Sequence, residues 1–213
     1  MLWKDSAIKT LRLKLSIKTA HKIIFSENHS ITLQAHCSVI IFKERNDKMV
    51  NDIKCQMFVE GDPKKLKKFF NSVKCEECGR VFDFEAIIPY PDDIYLGPLT
   101  AEAIKKCGKN NWYDFNKEYW GTYYNAYETE RTGNMIEFLV GWRIPMRLFM
   151  DMALKFPDIK FTINYASRQD GGPCGSVTLF MQKGEEIDER VSLSPGTDEY
   201  NKAREDMFRW NNF

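Results

Sequence analysis

Between residues 52 and 182 the apolar residues change period in a fixed order, and that order restricts the folds open to the chain. Ile53–Glu60 reads as a buried strand, stopped by Gly61. Asp62-Pro63 opens a helix: Asp caps the first turn, and Pro at the first helical position gives up no needed hydrogen bond. Leu66, Phe69, Phe70 and Val73 then recur on one helical face, with Lys64, Lys65, Lys67 and Lys68 on the solvated side. Thr122–Thr129 and Met135–Trp142 read as two strands around Thr132-Gly133-Asn134, a hairpin signal. Pro145 opens a second helix, for which the spacing predicts an inward stripe of Met146, Phe149, Met150, Ala153 and Leu154, ended at Phe156-Pro157. Phe161, Ile163 and Tyr165 alternate in a strand; Val177, Leu179 and Met181 alternate in another after the Gly171-Gly172 turn. Thr197 caps a tail helix over 197–209.

This order predicts an α+β fold of ferredoxin-like topology: a β-α-β-β-α-β antiparallel sheet with two helices on one face, plus an extra C-terminal strand and helix. A long insertion, 75–121, separates the first helix from the second core strand. Within it Arg80–Ile88 reads as a strand or extended segment, and Thr100–Lys106 as a short helix ended by Gly108. Asn111 caps a further helix that carries Trp112, Phe115 and Tyr119 on one side and closes at Trp120-Gly121.

Charge divides the chain differently. Residues 1–48 hold nine Lys/Arg against four acids, whereas the remainder is net −4. All three histidines, His21, His29 and His36, lie in that first segment. The body, 49–213, therefore lacks the usual general base and the usual nitrogen ligand of zinc. Leu11–Lys18 and Ile31–Ile41 alternate at strand period, which makes 1–48 a basic extension, either a β-ribbon or poorly ordered. The alternative is that translation begins at Met49. The first residues lack the continuous apolar core of a secretion signal, and six cysteines are too few for a disulfide-stapled secreted module. A cytoplasmic location without a membrane is the expectation.

Several motifs in sequence order resemble one family. They are Met57-Phe58-Val59-Glu60-Gly61-Asp62-Pro63, and Phe82-Asp83-Phe84-Glu85-Ala86-Ile87-Ile88-Pro89-Tyr90-Pro91 against "F-x-F-x-x-I-I-P-x-P". Asn111-Trp112-Tyr113-Asp114-Phe115-Asn116-Lys117-Glu118-Tyr119-Trp120-Gly121-Thr122 follows "N-W-Y-x-W-x-x-x-N-W-G-T-K". Trp142-Arg143-Ile144-Pro145 and Lys155-Phe156-Pro157-Asp158-Ile159-Lys160-Phe161-Thr162 complete the set. Residues 51–183 thus resemble the YubB-type ferredoxin-like proteins of phages and plasmids. The resemblance implies the fold and a mobile-element origin, and it implies no activity. Phe115, Tyr119 and Tyr123 depart from the signature, Cys75–Cys78 is an addition, and 1–48 lies outside it.

Cys75-Glu76-Glu77-Cys78-Gly79 has the spacing of a zinc knuckle, but tetrahedral zinc needs four ligands. Cys107, Cys174 or Cys55 would have to converge on Cys75 and Cys78. Free thiols and no cofactor are the plainer expectation, and two flanking acids disfavour a reactive thiolate. The aromatic segment has two readings. Trp112, Phe115, Tyr119 and Trp120 can clamp the insertion to the sheet, with Asn111, Asp114 and Gly121 serving as caps. Alternatively Trp112, Tyr113, Asp114, Tyr119, Trp120, Gly121, Thr122, Tyr123, Tyr124 and Trp142 form a binding surface. The paired carboxylates Asp92-Asp93, Glu76-Glu77 and Glu185-Glu186 adjoin turns, and no nucleophile, base and orienting group are grouped by sequence.

The functional expectation is a non-enzymatic binding protein that acts on a host or defence protein through an acidic, tyrosine-rich surface. The alternative is a single-stranded nucleic-acid binder that combines the aromatic insertion with the basic N-terminal segment, although the RNP-type run is missing. A small-molecule hydrolase comes third.

Overall fold

A computed structural model describes residues 51–182 and 184–209. The expected N-terminal extension, 1–48, lies outside the described residues.

The fold is mixed α+β: a six-stranded antiparallel sheet with several helices packed on one face. Its strands are β1 (Asp52–Glu60), β2 (Tyr127–Thr132), β3 (Met135–Gly141), β4 (Lys160–Ser167), β5 (Cys174–Gln182) and β6 (Glu185–Ser192). They lie in the order β2-β3-β1-β4-β5-β6. The helices are α1 (Pro63–Ser72), α2 (Phe84–Ile87), α3 (Ala101–Cys107), α4 (Trp112–Phe115), α5 (Met146–Lys155) and α6 (Asp198–Phe208). A π-helical turn, Asn116–Trp120, directly continues α4. The order is consistent with a general ferredoxin-like topology.

Alternation fixes which side of each strand is covered. Ile53, Cys55, Met57 and Val59 of β1 are buried together with Ile136, Phe138 and Val140 of β3 and Phe161, Ile163 and Tyr165 of β4. Pairing Met57 with Ile136 on one side and with Ile163 on the other puts these residues in common rows across the sheet. Helix α1 lays Leu66, Phe69, Phe70 and, just beyond its end, Val73 onto that face, as its period predicts. Asp62 caps it by accepting the Lys64 amide hydrogen bond at 2.9 Å. Burying side chains of this size stabilises by roughly 1.5–3 kcal/mol each. Tilted ring pairs such as Phe69–Phe161 and Phe82–Phe138, and the edge-on pair Phe69–Phe156, add to it.

Three local expectations are corrected, and two features go beyond them. Helix α5 buries Leu148, Phe149, Met152 and Ala153, while Leu154 is half exposed, so its inward stripe is rotated from the one expected. The segment Met146–Ala153 is apolar over more than one face, and tertiary packing chooses among them. Within Arg80–Ile88 the chain forms α2, because the Asp83 carboxylate accepts the Glu85 amide at 2.9 Å and starts a helical turn. The expected strand Thr122–Thr129 begins only at Tyr127, because 122–126 is held by side-chain hydrogen bonds. Strand β6 adds a sixth strand to the five that the sequence predicts: it is an exposed edge, so no inward apolar pattern marks it. Helix α6 packs on the opposite side of the sheet from α1 and α5. Its Tyr200 and Met207 meet Ala166 of β4, next in the strand to the core-facing Tyr165, and Cys174 of β5, the register partner of Ala166.

Candidate functional site

The insertion between α1 and β2 is anchored by polar groups that the core leaves no room to waste. Asn125 is buried; its carbonyl oxygen accepts from the Phe84 and Ala126 amides, and its amide donates to Asp83 at 2.8 Å. The Trp120 indole N–H donates to the Ile88 carbonyl at 3.0 Å, and the Tyr90 hydroxyl donates to Asn116 Oδ1 at 2.7 Å. Burial pushes the Tyr90 phenol above its ordinary range. The Lys155 ammonium caps the other end by donating to the Ile87 carbonyl.

On this base the Trp-Tyr segment is built in three steps. Asn111 Oδ1 accepts the Tyr113 and Asp114 amides, both at 3.0 Å, and starts α4. The wider π-helical turn then carries Trp120 fully into the core against Phe84 and Tyr90. Gly121, at φ +79°, reverses the chain in the left-handed conformation that glycine adopts without strain. Buried Thr122 ties the return to the Gly141 carbonyl at 3.0 Å.

The return brings Tyr123 and Tyr124 back alongside α4. Tyr113 and Tyr123 stack with centroids 5.3 Å apart and planes at 18°. Trp112 stands edge-on to Tyr113 at 5.7 Å and faces Tyr124 at 6.3 Å, and its indole N–H donates to the Gly97 carbonyl. Two cations join: Lys117 Nζ lies 5.4 Å from the Tyr113 ring, and the Arg143 guanidinium 5.5 Å from the Tyr123 ring. Desolvation within this cluster, followed by the neighbouring Tyr123 and Tyr124, raises the Tyr113 phenol.

The ten candidate residues therefore separate. Trp120 and Thr122 are buried scaffold, and Gly121 is the turn between them. Asp114 accepts from the Asn111 amide at 2.8 Å, and Tyr119 rests on Phe115 with 40% of its surface exposed. Trp112, Tyr113, Tyr123 and Tyr124 form one partly exposed surface. Trp142, next in chain to Arg143, is 50% exposed and holds φ +72°, a conformation costly for a residue with a bulky side chain. Sequence reasoning passed over Lys117 and Arg143. Lys117 was legible, since it lies one helical turn after Tyr113; Arg143 reaches Tyr123 only through the tertiary fold.

The cysteine motif resolves differently from expectation. Cys75 and Cys78 are joined as a disulfide, so neither free thiols nor a two-thiolate metal site describes this pair. Asp83 lies beside them, and the three potential ligand atoms fall within 4.8 Å. Its carboxylate is already occupied by the Glu85 amide, Asn125 and, at 3.4 Å, Arg80. Cys55 and Cys174 are buried elsewhere, with burial raising both thiols. Among the carboxylate pairs, Glu76 is paired with Lys74 at 2.8 Å, and Asp93 accepts from Asn110. Among the described residues no helix is long and apolar enough to cross a membrane.

Comparison of the chain with family models, with curated proteins and with solved structures finds no significant match in any of the three. The resemblance to the YubB-type proteins accordingly rests on the quoted motifs.

Proposed function

We propose that this protein is a non-enzymatic protein-binding module, built on a ferredoxin-like core, whose interface is the surface of Trp112, Tyr113, Tyr123, Tyr124, Trp142 and Arg143. The observation that carries the reading is the make-up of that surface. Trp, Tyr and Arg are the residues in which binding energy concentrates at protein interfaces, because they offer large contact area at little conformational cost. Here Trp112, Tyr113, Tyr123 and Tyr124 are held in advance by ring contacts, by the Trp112 indole bond to the Gly97 carbonyl and by the capped turn, which lowers the ordering cost of association. The strained, half-exposed Trp142 is supported by the same argument, since such strain persists where function uses it.

The order β2-β3-β1-β4, with α1 and α5 in its two crossovers, supports the ferredoxin-like description. The mobile-element origin implied by the resemblance makes a host or defence protein the partner. Among the described residues no nucleophile, base and orienting group come together around the aromatic surface, which favours binding over hydrolysis. Base stacking is less favoured, because Tyr113 and Tyr123 already have each other and a cation against their rings.

The test is affinity capture with the full chain from bacterial lysate, comparing it with the Arg143→Glu and Tyr123→Ala variants by quantitative mass spectrometry. A protein recovered in stoichiometric amount by the parent and lost with both variants supports the reading. Equal recovery by all three, or salt-sensitive recovery of single-stranded nucleic acid in its place, overturns it.

A further inference from the structure

Helix α1 carries four lysines, and they are not alike. Lys65 pairs with Asp158 at 2.7 Å, whereas Lys64, Lys67 and Lys68 have no carboxylate partner among the described residues. Across from them, at the end of edge strand β2, Arg131 shares the helix-side face of the sheet with Ile136, its partner in register. Its guanidinium lies 3.5 Å from the centre of the Phe70 ring, and its Nε donates to the Gly133 carbonyl at 2.8 Å. The group is thus fixed at the ring and at one nitrogen, while its terminal nitrogens make no ion pair among the described residues.

Between α1 and the β2–β3 hairpin lies a cavity of about 340 Å³, and Arg131 and Lys67 both line it. The carboxamides of Asn71 and Asn134 add neutral donors; Pro63, Leu66 and Phe70 form the apolar wall. Among the described residues no acid lines it, and the Asp62 carboxylate at the start of α1 is turned to the Lys64 amide. In a body that is net acidic, two cations and two carboxamides converging on one acid-free cavity make a local site for a compact, multiply charged oxyanion. The volume exceeds what that oxyanion needs, and the surplus faces carbon.

We propose that this cavity binds a phosphate monoester carried on a small apolar or aromatic body. Arg131 presents its fixed fork to two phosphate oxygens, Lys67 supplies a mobile second charge, and Asn71 and Asn134 donate to the remaining oxygen. The organic body lies against Pro63 and Leu66. The site is separate from the aromatic surface and does not depend on its role.

Phenyl phosphate is the probe, titrated into the ¹⁵N-labelled full chain, with inorganic phosphate and phenol as comparison arms. Phenyl phosphate is expected to give saturable shifts confined to the amides around Lys67–Asn71 and Arg131–Asn134, inorganic phosphate weaker shifts at the same places, and phenol none. Lys67→Gln and Arg131→Gln should each weaken phenyl phosphate binding about tenfold, whereas Lys68→Gln leaves it within about twofold. Lys67 is exposed, so its variant stays folded even if Arg131→Gln disturbs Phe70. Shifts scattered over all lysine-bearing surfaces, failure to saturate, or full-strength binding by Lys67→Gln would overturn the proposal.

Discussion

Trp112 and Trp120 belong to one short motif, yet one is partly exposed beside three tyrosines and the other has no exposed surface. Substitution separates them. Trp120→Ala should destabilise by about 3–5 kcal/mol and Tyr113→Ala by less than about 1 kcal/mol, read by chemical denaturation. At Trp142 the backbone is separable from the ring: Gly and Ala both remove the indole, but only Gly tolerates φ +72° freely. Trp142→Gly should therefore be about 1 kcal/mol more stable than Trp142→Ala, and equal stabilities would show that the left-handed conformation is not strained. Tyr90 supplies a pH test. Its burial raises the folded-state phenol above the ordinary value of 10.0, so the neutral form is favoured in the fold. The stabilisation is complete below that value and falls as pH rises beyond it. Tyr90→Phe should flatten this alkaline decline and, by losing the bond to Asn116, cost about 1 kcal/mol at neutral pH.

At the scale of elements, β5 and β6 approach so closely that Gly175 has no room for a side chain: a Cβ there would lie 2.0 Å from the Val191 carbonyl oxygen. Gly175→Ala should loosen the Ser192 end of β6, seen as faster amide exchange there, and leave exchange in β1 unchanged. The Cys75–Cys78 bridge spans a sequence separation of only 3, so it constrains the unfolded chain little. Its reduction should lower stability by no more than about 2 kcal/mol. Alkylation of both cysteines without reductant would contradict the bridge. What was readable in advance follows the same physics. Strand β1 stops at Gly61, α1 carries the Asp62-Pro63 start and an apolar period, and α6 carries the Thr197 cap, so these elements were legible. Strand β6 is charged and exposed on its edge, α2 depends on one Asp83 hydrogen bond, and the π-helical turn leaves no periodic mark, so these were not.

Over the whole molecule, summed charge concealed what the fold assembles. The body is net acidic, yet Arg131 and Lys67, far apart in sequence, line one acid-free cavity. Arg143 likewise reaches Tyr123 only because the chain doubles back at Gly121. Periodicity reports which face of an element is buried; it does not report which exposed faces meet. The central claim is that the surface around Trp142 and Arg143 contacts another protein, and site-specific photo-crosslinking in bacterial cells tests it most directly. A benzophenone amino acid placed at Trp142 of the full chain should yield a discrete protein adduct that disappears with Arg143→Glu and does not form from the equally exposed Leu154. No adduct from Trp142, or the same adducts from both positions, would contradict the account.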